Sequence, residues 1–213
     1  MLDAFTWFRQ SAYRFEGEGL TVYIDPWGVE DGAPPADLIL ITHVHQDHFQ
    51  PDLVEALSTD RTAKVAPHDV AGELKGNVTP VAPGESHTVA GVGFTTVPAY
   101  NTREEALDFH PRSNRWVGYV VDLGGTTYYH AGDTDHASEL DDVKTDVAFL
   151  PVGGYYTMDV PEAAGLAKAI SPRLAVPMHY GFVVGSKEDG DRFRDEASPV
   201  PVEVMMPTNP FER

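Results

Sequence analysis

Four side chains near the end of the first quarter of the chain can bind metal ions. His43, His45, Asp47 and His48 lie within six consecutive residues, directly after the apolar run at residues 38–42. Neutral imidazole and carboxylate are the usual ligands of zinc, and they also suit manganese and iron. In an extended segment His43 and His45 point to the same side, whereas Asp47 and His48 follow where the chain leaves the strand. The spacing therefore predicts a metal site with two ligand pairs.

Three segments in this order resemble a known family. Residues 43–48 resemble the His-x-His-x-Asp-His signature of the metallo-β-lactamase superfamily of metal-dependent hydrolases. Residues 128–134 resemble its Gly-Asp-Thr segment, and residues 176–180 resemble the segment that carries its last histidine ligand. Within the superfamily, Asp25-Pro26-Trp27 and the Pro-Met-His-Tyr ending are most similar to the small branch that includes ascorbate-6-phosphate lactonase relatives.

This resemblance implies a four-layer αββα sandwich of the α+β class with a site for two divalent metal ions. Zinc is favoured, with manganese or iron as alternatives. The resemblance assigns His43 and His45 to the first ion, and Asp47, His48 and His179 to the second. It assigns Asp133 to a position that bridges the two ions. Asp47 is also the candidate catalytic residue, since its carboxylate could orient the attacking hydroxide, although a role as ligand alone fits equally well.

One ligand that the family leads us to expect is absent. Superfamily members usually supply a third histidine to the first ion from the loop after the strand that precedes the Gly-Asp hairpin. Residues 97–101 occupy that place and contain no histidine. Either His110 reaches in from the same long loop, or the first ion is weakly held and a single-ion enzyme results. We favour His110, because Pro111 restricts the residue before it to extended conformations. A solvent-exposed His110 is the remaining alternative.

The composition excludes several classes of function. The 33 acidic and 15 basic side chains give a formal net charge of −18. Such a surface repels nucleic-acid phosphates, so a nuclease is disfavoured. The absence of cysteine restricts the metal ligands to nitrogen and oxygen. The first residues lack a signal-peptide pattern, and no segment reaches membrane-spanning length. We expect a cytoplasmic protein with a small-molecule substrate and neither nucleic-acid nor membrane partners; the oligomeric state is left open.

The excess of negative charge predicts a halophilic protein, with an ordinarily acidic mesophilic enzyme as the alternative. About 18 uncompensated charges repel one another, and salt shortens the distance over which they do so. The melting temperature should therefore rise with potassium chloride between about 0.1 and 2 M, a range in which the Debye length falls severalfold. Thermal melts across this range test the prediction. A melting temperature that is indifferent to salt would remove the high-salt interpretation.

Strands and helices alternate in both halves of the sequence, and the length of 213 residues with 42% apolar content suits a single domain over residues 1–213. Apolar runs between glycines and prolines predict strands at residues 5–8, 13–15, 21–25, 38–42, 64–66, 78–81, 94–98, 117–123, 126–130, 146–151, 174–177 and 202–205. Helical spacing predicts helices at residues 51–57, 160–170 and 188–197. These patterns alone indicate an α/β or an α+β fold.

Three functions are compatible with these observations. The first is a hydrolase that uses a metal-activated water on a small ester, lactone or phosphodiester, since neither a Gly-x-Ser-x-Gly elbow nor a cysteine nucleophile is present. The second is a catalytically degenerate family member that binds metal for a regulatory or association role. The third is an iron oxidoreductase of the flavodiiron type, which normally carries an appended flavin domain that this chain has no room for. Tyr155 and Tyr156 could line a pocket, although packing is the more common role of such aromatics. His130 either orients a ligand or contacts substrate, or packs structurally.

Overall fold

Two six-stranded sheets form the middle of the fold in the computed structural model, which describes residues 1–213. In the first sheet, three antiparallel strands are followed by three further strands added in parallel. Its strands, in spatial order, are β1 (Phe5–Trp7), β2 (Tyr13–Gly17), β3 (Leu20–Ile24), β4 (Leu38–Leu40), β5 (Ala63–Pro67) and β6 (Asn77–Val81).

The second sheet begins as an antiparallel meander and ends in two parallel strands. Its strands, also in spatial order, are β7 (Ser86–Val89), β8 (Val92–Pro98), β9 (Val117–Leu123), β10 (Thr126–His130), β11 (Val147–Pro151) and β12 (Leu174–Met178). The two sheets share one large hydrophobic core of 45 buried residues.

Helices cover the outer faces of the sheets. The alternation along β4 shows the layering: Leu38 and Leu40 belong to the large core, whereas Ile39 packs in a smaller cluster with Val54 and Val70 from the helices beside the first sheet. The helices are α1 (Pro51–Ala56) and α2 (His68–Ala71) on the first sheet, and α3 (Val160–Ile170) and α4 (Asp189–Glu196) on the second. The predicted four-layer αββα sandwich of the α+β class is confirmed. None of these helices has the length and apolarity needed to cross a membrane.

The predicted secondary structure differs from the fold in a few places. The predicted strand at 202–205 is wrong: only Val202 forms an isolated bridge, to Ala175. The segment touches the edge of the sheet through two backbone hydrogen bonds and then leaves it, and Pro201 has no N–H for a longer ladder. Strand β7 and helix α2 were not predicted, since both are short and polar. Strand β4 ends at Leu40, because the Thr42 N–H bonds a side chain instead of a neighbouring strand.

Candidate metal centre

Four loops bring all seven predicted metal-binding side chains to one edge of the sandwich. Three loops follow the carboxyl ends of β4, β10 and β12, and the fourth is the long connection between β8 and β9. The candidate ligand atoms fall into three groups, each with its atoms within 4.8 Å of one another: His43, His45 and His110; His43, His48 and Asp133; and Asp47, His48 and His179. The first and third groups contain the residues that were predicted for the first and second ions.

Asp133 lies between these groups. Its Oδ2 atom is 3.0 Å from Nε2 of His179, 3.4 Å from Nε2 of His110 and 3.9 Å from Nε2 of His43, while its Oδ1 atom is 3.3 Å from Nε2 of His48. One carboxylate therefore reaches imidazoles of both predicted ion sites, as a bridging ligand must.

A glycine turn directs Asp133 into the site after β10. Gly132 has a φ of +65°, and a Cβ atom there would lie 3.1 Å from the Cβ of Thr42. Both the left-handed backbone and the close approach to the opposite sheet favour glycine. The Gly-Asp pair of the motif thus has a physical explanation: the glycine lets the chain turn tightly against the loop that carries the histidines.

Asp25, at the end of β3, fixes the orientation of the histidine motif. Its carboxylate accepts hydrogen bonds from the Thr42 backbone N–H at 2.7 Å and from the Thr42 hydroxyl at 2.6 Å, and its Oδ2 lies 2.7 Å from Nδ1 of His48. The Thr42 hydroxyl is also 3.0 Å from Nδ1 of His43. These bonds favour a proton on Nδ1 of both imidazoles and turn the Nε2 atom of each towards the cluster. Asp25 was noted in the sequence only as part of the family resemblance, and its role in orienting the histidines was not predicted.

Replacing the positioning carboxylate should weaken metal binding. Asp25→Asn removes the charge that holds the His48 Nδ1 proton, and the loss of such a partner typically costs ten- to hundredfold in metal affinity. Titration of chelator-treated protein with Zn²⁺ measures the change. Asp37→Asn is the matched control, because that carboxylate is exposed and bonds only the Thr21 N–H beside the same sheet. An unchanged affinity in Asp25→Asn would show that the bond does not position His48.

Asn101 holds His110. Its Oδ1 atom lies 2.8 Å from Nδ1 of His110, and its amide nitrogen donates to Asp135 at 2.9 Å and to the carbonyl of Tyr156 at 2.8 Å. Asn101 thus belongs to the segment 97–101, where the family leads us to expect a histidine, and it orients the histidine that comes from further along the loop. Only 1% of His110 is exposed, so the alternative of a solvent-exposed loop histidine is wrong.

Trp116 supports the first histidine group from behind. Its ring centroid lies 5.0, 5.1 and 5.6 Å from those of His43, His45 and His110. Its Nε1 donates to Asp69 of α2 at 2.7 Å, which fixes the indole. Sequence reasoning missed this residue, since no local pattern distinguishes it from a core aromatic.

The electrostatics of the cluster separate its histidines into two kinds. Burial, together with the charge of His48, lowers the pKa of His43 well below its usual value. Burial also opposes a charge on His48 and His179, but the carboxylates of Asp133 and Asp47 outweigh it, raising the pKa of His48 and bringing that of His179 to about 9. Despite burial, His179 and His48 keep the pKa of Asp133 well below its ordinary range. An arriving cation must therefore displace protons from the second group.

The donors fit a cation. His48 Nε2, His110 Nε2 and Asp133 Oδ1 are buried and have no hydrogen-bond partner within the protein. Unpartnered buried polar atoms are rare because each costs desolvation free energy, and here three of them converge on one cluster. All are nitrogen or oxygen donors, as zinc, manganese and iron sites use.

His130 lies outside the three groups. Its Nε2 donates to the Ser11 carbonyl at 2.8 Å, and its Nδ1 accepts from the Gly132 N–H at 3.3 Å. Both ring nitrogens therefore have partners within the protein. Of the predicted roles for this residue, structural packing is the one that the contacts favour.

A cavity of about 330 Å³ opens onto the cluster. Its apolar lining consists of Phe109, Tyr156 and Val183. Its polar lining consists of five predicted site residues, which are His45, Asp47, His110, Asp133 and His179. Tyr156 lines the cavity as predicted, whereas the neighbouring Tyr155 is 65% exposed. A larger open groove of about 750 Å³ lies beside Arg14 and Asn209, but none of the candidate ligands lines it.

Comparison with known proteins places this arrangement in a family. Residues 4–179 match the model of the beta-lactamase superfamily domain. The UPF0173 metal-dependent hydrolase of Methanopyrus kandleri is 32% identical over 98% of this chain and 99% of its own length. The crystal structure of a candidate metal-dependent hydrolase from Parabacteroides distasonis is 32% identical, with a TM-score of 0.84 over 96% of this chain and 93% of that one. The metallo hydrolase Igni18 of Ignicoccus hospitalis is 25% identical, with a TM-score of 0.75 over 96% of this chain and 95% of its own. The chain therefore belongs to the metallo-β-lactamase superfamily and, within it, to the UPF0173 metal-dependent hydrolase family.

Proposed function

We propose that the protein is a hydrolase with two divalent metal ions that acts on a small ester, lactone or phosphodiester. The observation that carries this proposal is the convergence of buried, unpartnered donor atoms from His48, His110 and Asp133 beside a cavity that His110 and Asp133 line. Zinc is the favoured ion on the basis of the nitrogen-rich donor set, with manganese and iron as alternatives.

We divide the proposed ligands between the two ions according to the groups that their ligand atoms form in space. In this proposal His43, His45 and His110 would hold the first ion, and Asp47, His48 and His179 would hold the second. Asp133, whose carboxylate lies near imidazoles of both groups, would be shared between them. When bound, a pair of divalent ions supplies an activated water and polarises the oxygen under attack. The chain orients its imidazoles for this purpose through Asp25, Thr42 and Asn101.

Asp47 is the proposed catalytic residue. Its side chain lines the cavity and is 22% exposed, with Oδ2 3.6 Å from Nε2 of His48 and 3.5 Å from Nε2 of His179. Burial opposes its charge, but these two histidines keep its pKa well below the ordinary value, so Asp47 is ionised. A carboxylate at this place can accept a hydrogen bond from the attacking water or hydroxide and so hold it in orientation.

The cavity limits the substrate. A volume of about 330 Å³ lies near the lower end of the range for ligand pockets, roughly 300 to 1,000 Å³. Phe109, Tyr156 and Val183 offer apolar surface opposite the donors, and neither lysine nor arginine lines the cavity. These walls favour an uncharged ester or lactone with a small apolar group over a highly charged phosphate. The resemblance to ascorbate-6-phosphate lactonase relatives supports including lactones among the candidates.

A hydrolysis panel tests the proposal. Protein purified without added metal is analysed for its metal content and assayed with esters, lactones and phosphodiesters in molar potassium chloride, since we propose a halophilic, cytoplasmic enzyme. We expect turnover of at least one ester or lactone and its loss after chelation. Tight metal binding without hydrolysis across the panel would favour the alternative of a catalytically degenerate family member with a regulatory or association role.

A further inference from the structure

Gln10, in the turn between β1 and β2, is joined to the last predicted ligand by its backbone. Its carbonyl accepts hydrogen bonds from the His179 N–H at 2.9 Å and from Nε1 of Trp7 at 2.9 Å. Both Gln10 and His179 have a left-handed backbone, with φ of 45° and 57°. Such conformations cost free energy in residues other than glycine and persist where the surrounding structure imposes them. The two residues are therefore held face to face.

The side chain of Gln10 points into the second ligand group. Its Nε2 lies 3.2 Å from Nε2 of His179 and 3.4 Å from Oδ2 of Asp47. The residue is completely buried, and its Oε1 has no hydrogen-bond partner. A buried carbonyl without a partner costs about 1 to 3 kcal/mol of desolvation, so its retention beside two predicted ligands calls for a binding partner that the protein alone does not supply.

The amide can present either of its ends to the cluster. A half-turn of the terminal amide exchanges the positions of its oxygen and nitrogen, which are nearly equal in size. In the orientation seen here the amide nitrogen donates to Oδ2 of Asp47 and faces Nε2 of His179. With a cation in the group, this nitrogen donor would face positive charge, whereas the oxygen would face it favourably. A neutral carbonyl oxygen is a suitable ligand for manganese and other cations that prefer oxygen.

We propose that Gln10 completes the donor set of the second ion by turning its carbonyl oxygen towards it. This proposal rests on the two-ion site of the proposed function. It makes the two sites chemically unequal: the first is built on three imidazoles, whereas the second combines His48 and His179 with the oxygens of Asp47 and Gln10. The second site accordingly has the donor set that better suits manganese or iron(II).

Metal titration of Gln10→Met tests this role, since methionine keeps the length of the side chain without its amide. Chelator-treated protein is titrated separately with Zn²⁺ and Mn²⁺, and both equivalents are followed by calorimetry. In Gln10→Met we expect the second equivalent to bind about tenfold or more weakly, with the larger loss for Mn²⁺, and the first to bind as in the parent. Gln46→Met is the matched control, because Gln46 is an exposed glutamine within the histidine motif.

A second variant keeps the test decisive if Gln10→Met does not fold. Gln10→Glu retains an oxygen donor and adds a charge, so its second equivalent should bind more tightly than in the parent. If either Gln10→Met or Gln10→Glu binds the second equivalent with the affinity of the parent, the proposed role of Gln10 is overturned, but the two-ion site is not. A parent that binds only one equivalent would overturn the two-ion site and this proposal together.

Discussion

Asp133→Ala is expected to remove hydrolysis almost completely while the protein stays folded. The carboxylate of Asp133 lies within 3.0 to 3.9 Å of imidazoles from both ligand groups, so its loss affects both ions. Activity should fall by more than the ten- to hundredfold that follows loss of a partner outside the ligand set. Stability should fall only modestly, because the large core lies between the sheets and His48 and His179 can release their protons once the carboxylate is gone.

Turnover of the natural substrate and circular dichroism measure these two effects separately. His45→Ala, which removes a ligand of the first group, should behave in the same way. Asp142→Ala is the control for a lost carboxylate, since Asp142 is exposed and belongs to none of the three ligand groups. If Asp133→Ala or His45→Ala kept near-native turnover, the two-ion mechanism would have to be abandoned.

His110→Ala is expected to lose about one equivalent of metal. The Nε2 of His110 is buried without a hydrogen-bond partner, and the only bond of its other nitrogen is to Asn101. Removing the imidazole leaves the first ion with His43, His45 and the bridging carboxylate, and hydrolysis should fall with the occupancy of that ion. Elemental analysis after dialysis, together with turnover, measures the loss.

An exposed histidine provides the control for His110→Ala. His68→Ala removes an imidazole at the start of α2 and should change neither metal content nor turnover. A His110→Ala protein that binds as much metal as the parent and hydrolyses as fast would show that His110 does not substitute for the missing family histidine. The single-ion alternative would then have to be reconsidered.

Most strands and the metal motif were predictable because their signals are local, whereas the αββα arrangement was predictable only through the family resemblance of the motifs. The spacing of His43, His45 and His48 after an apolar run, and the Gly-Asp turn after a hairpin, each lie within a few residues. Apolar runs located most strands, but β7 was missed because three of its four residues are polar and the strand forms by pairing with β8. The segment at 202–205 has the composition of a strand but lacks a continuous partner at the sheet edge.

The residues that orient the candidate ligands could not be predicted in the same way. Gln10 and His179 are 169 positions apart, and the Asp69–Trp116 pair is separated by 47. No periodicity or motif relates such residues, since the tertiary fold alone brings them together. Asn101 illustrates the limit: the sequence indicated that a histidine was missing from the segment 97–101, but only the structure shows that Asn101 bonds the histidine that lies nine residues later.

Stepwise reconstitution of the metal-free protein tests the central proposal most directly. Chelator-treated protein in molar potassium chloride is given increasing equivalents of Zn²⁺ or Mn²⁺, and bound metal and hydrolysis of the ester, lactone and phosphodiester panel are measured on the same samples. The two-ion hydrolase predicts no turnover without metal and full turnover when two equivalents are bound. Turnover that is undiminished in the metal-free protein, or two bound equivalents with no hydrolysis of any substrate in the panel, would contradict it.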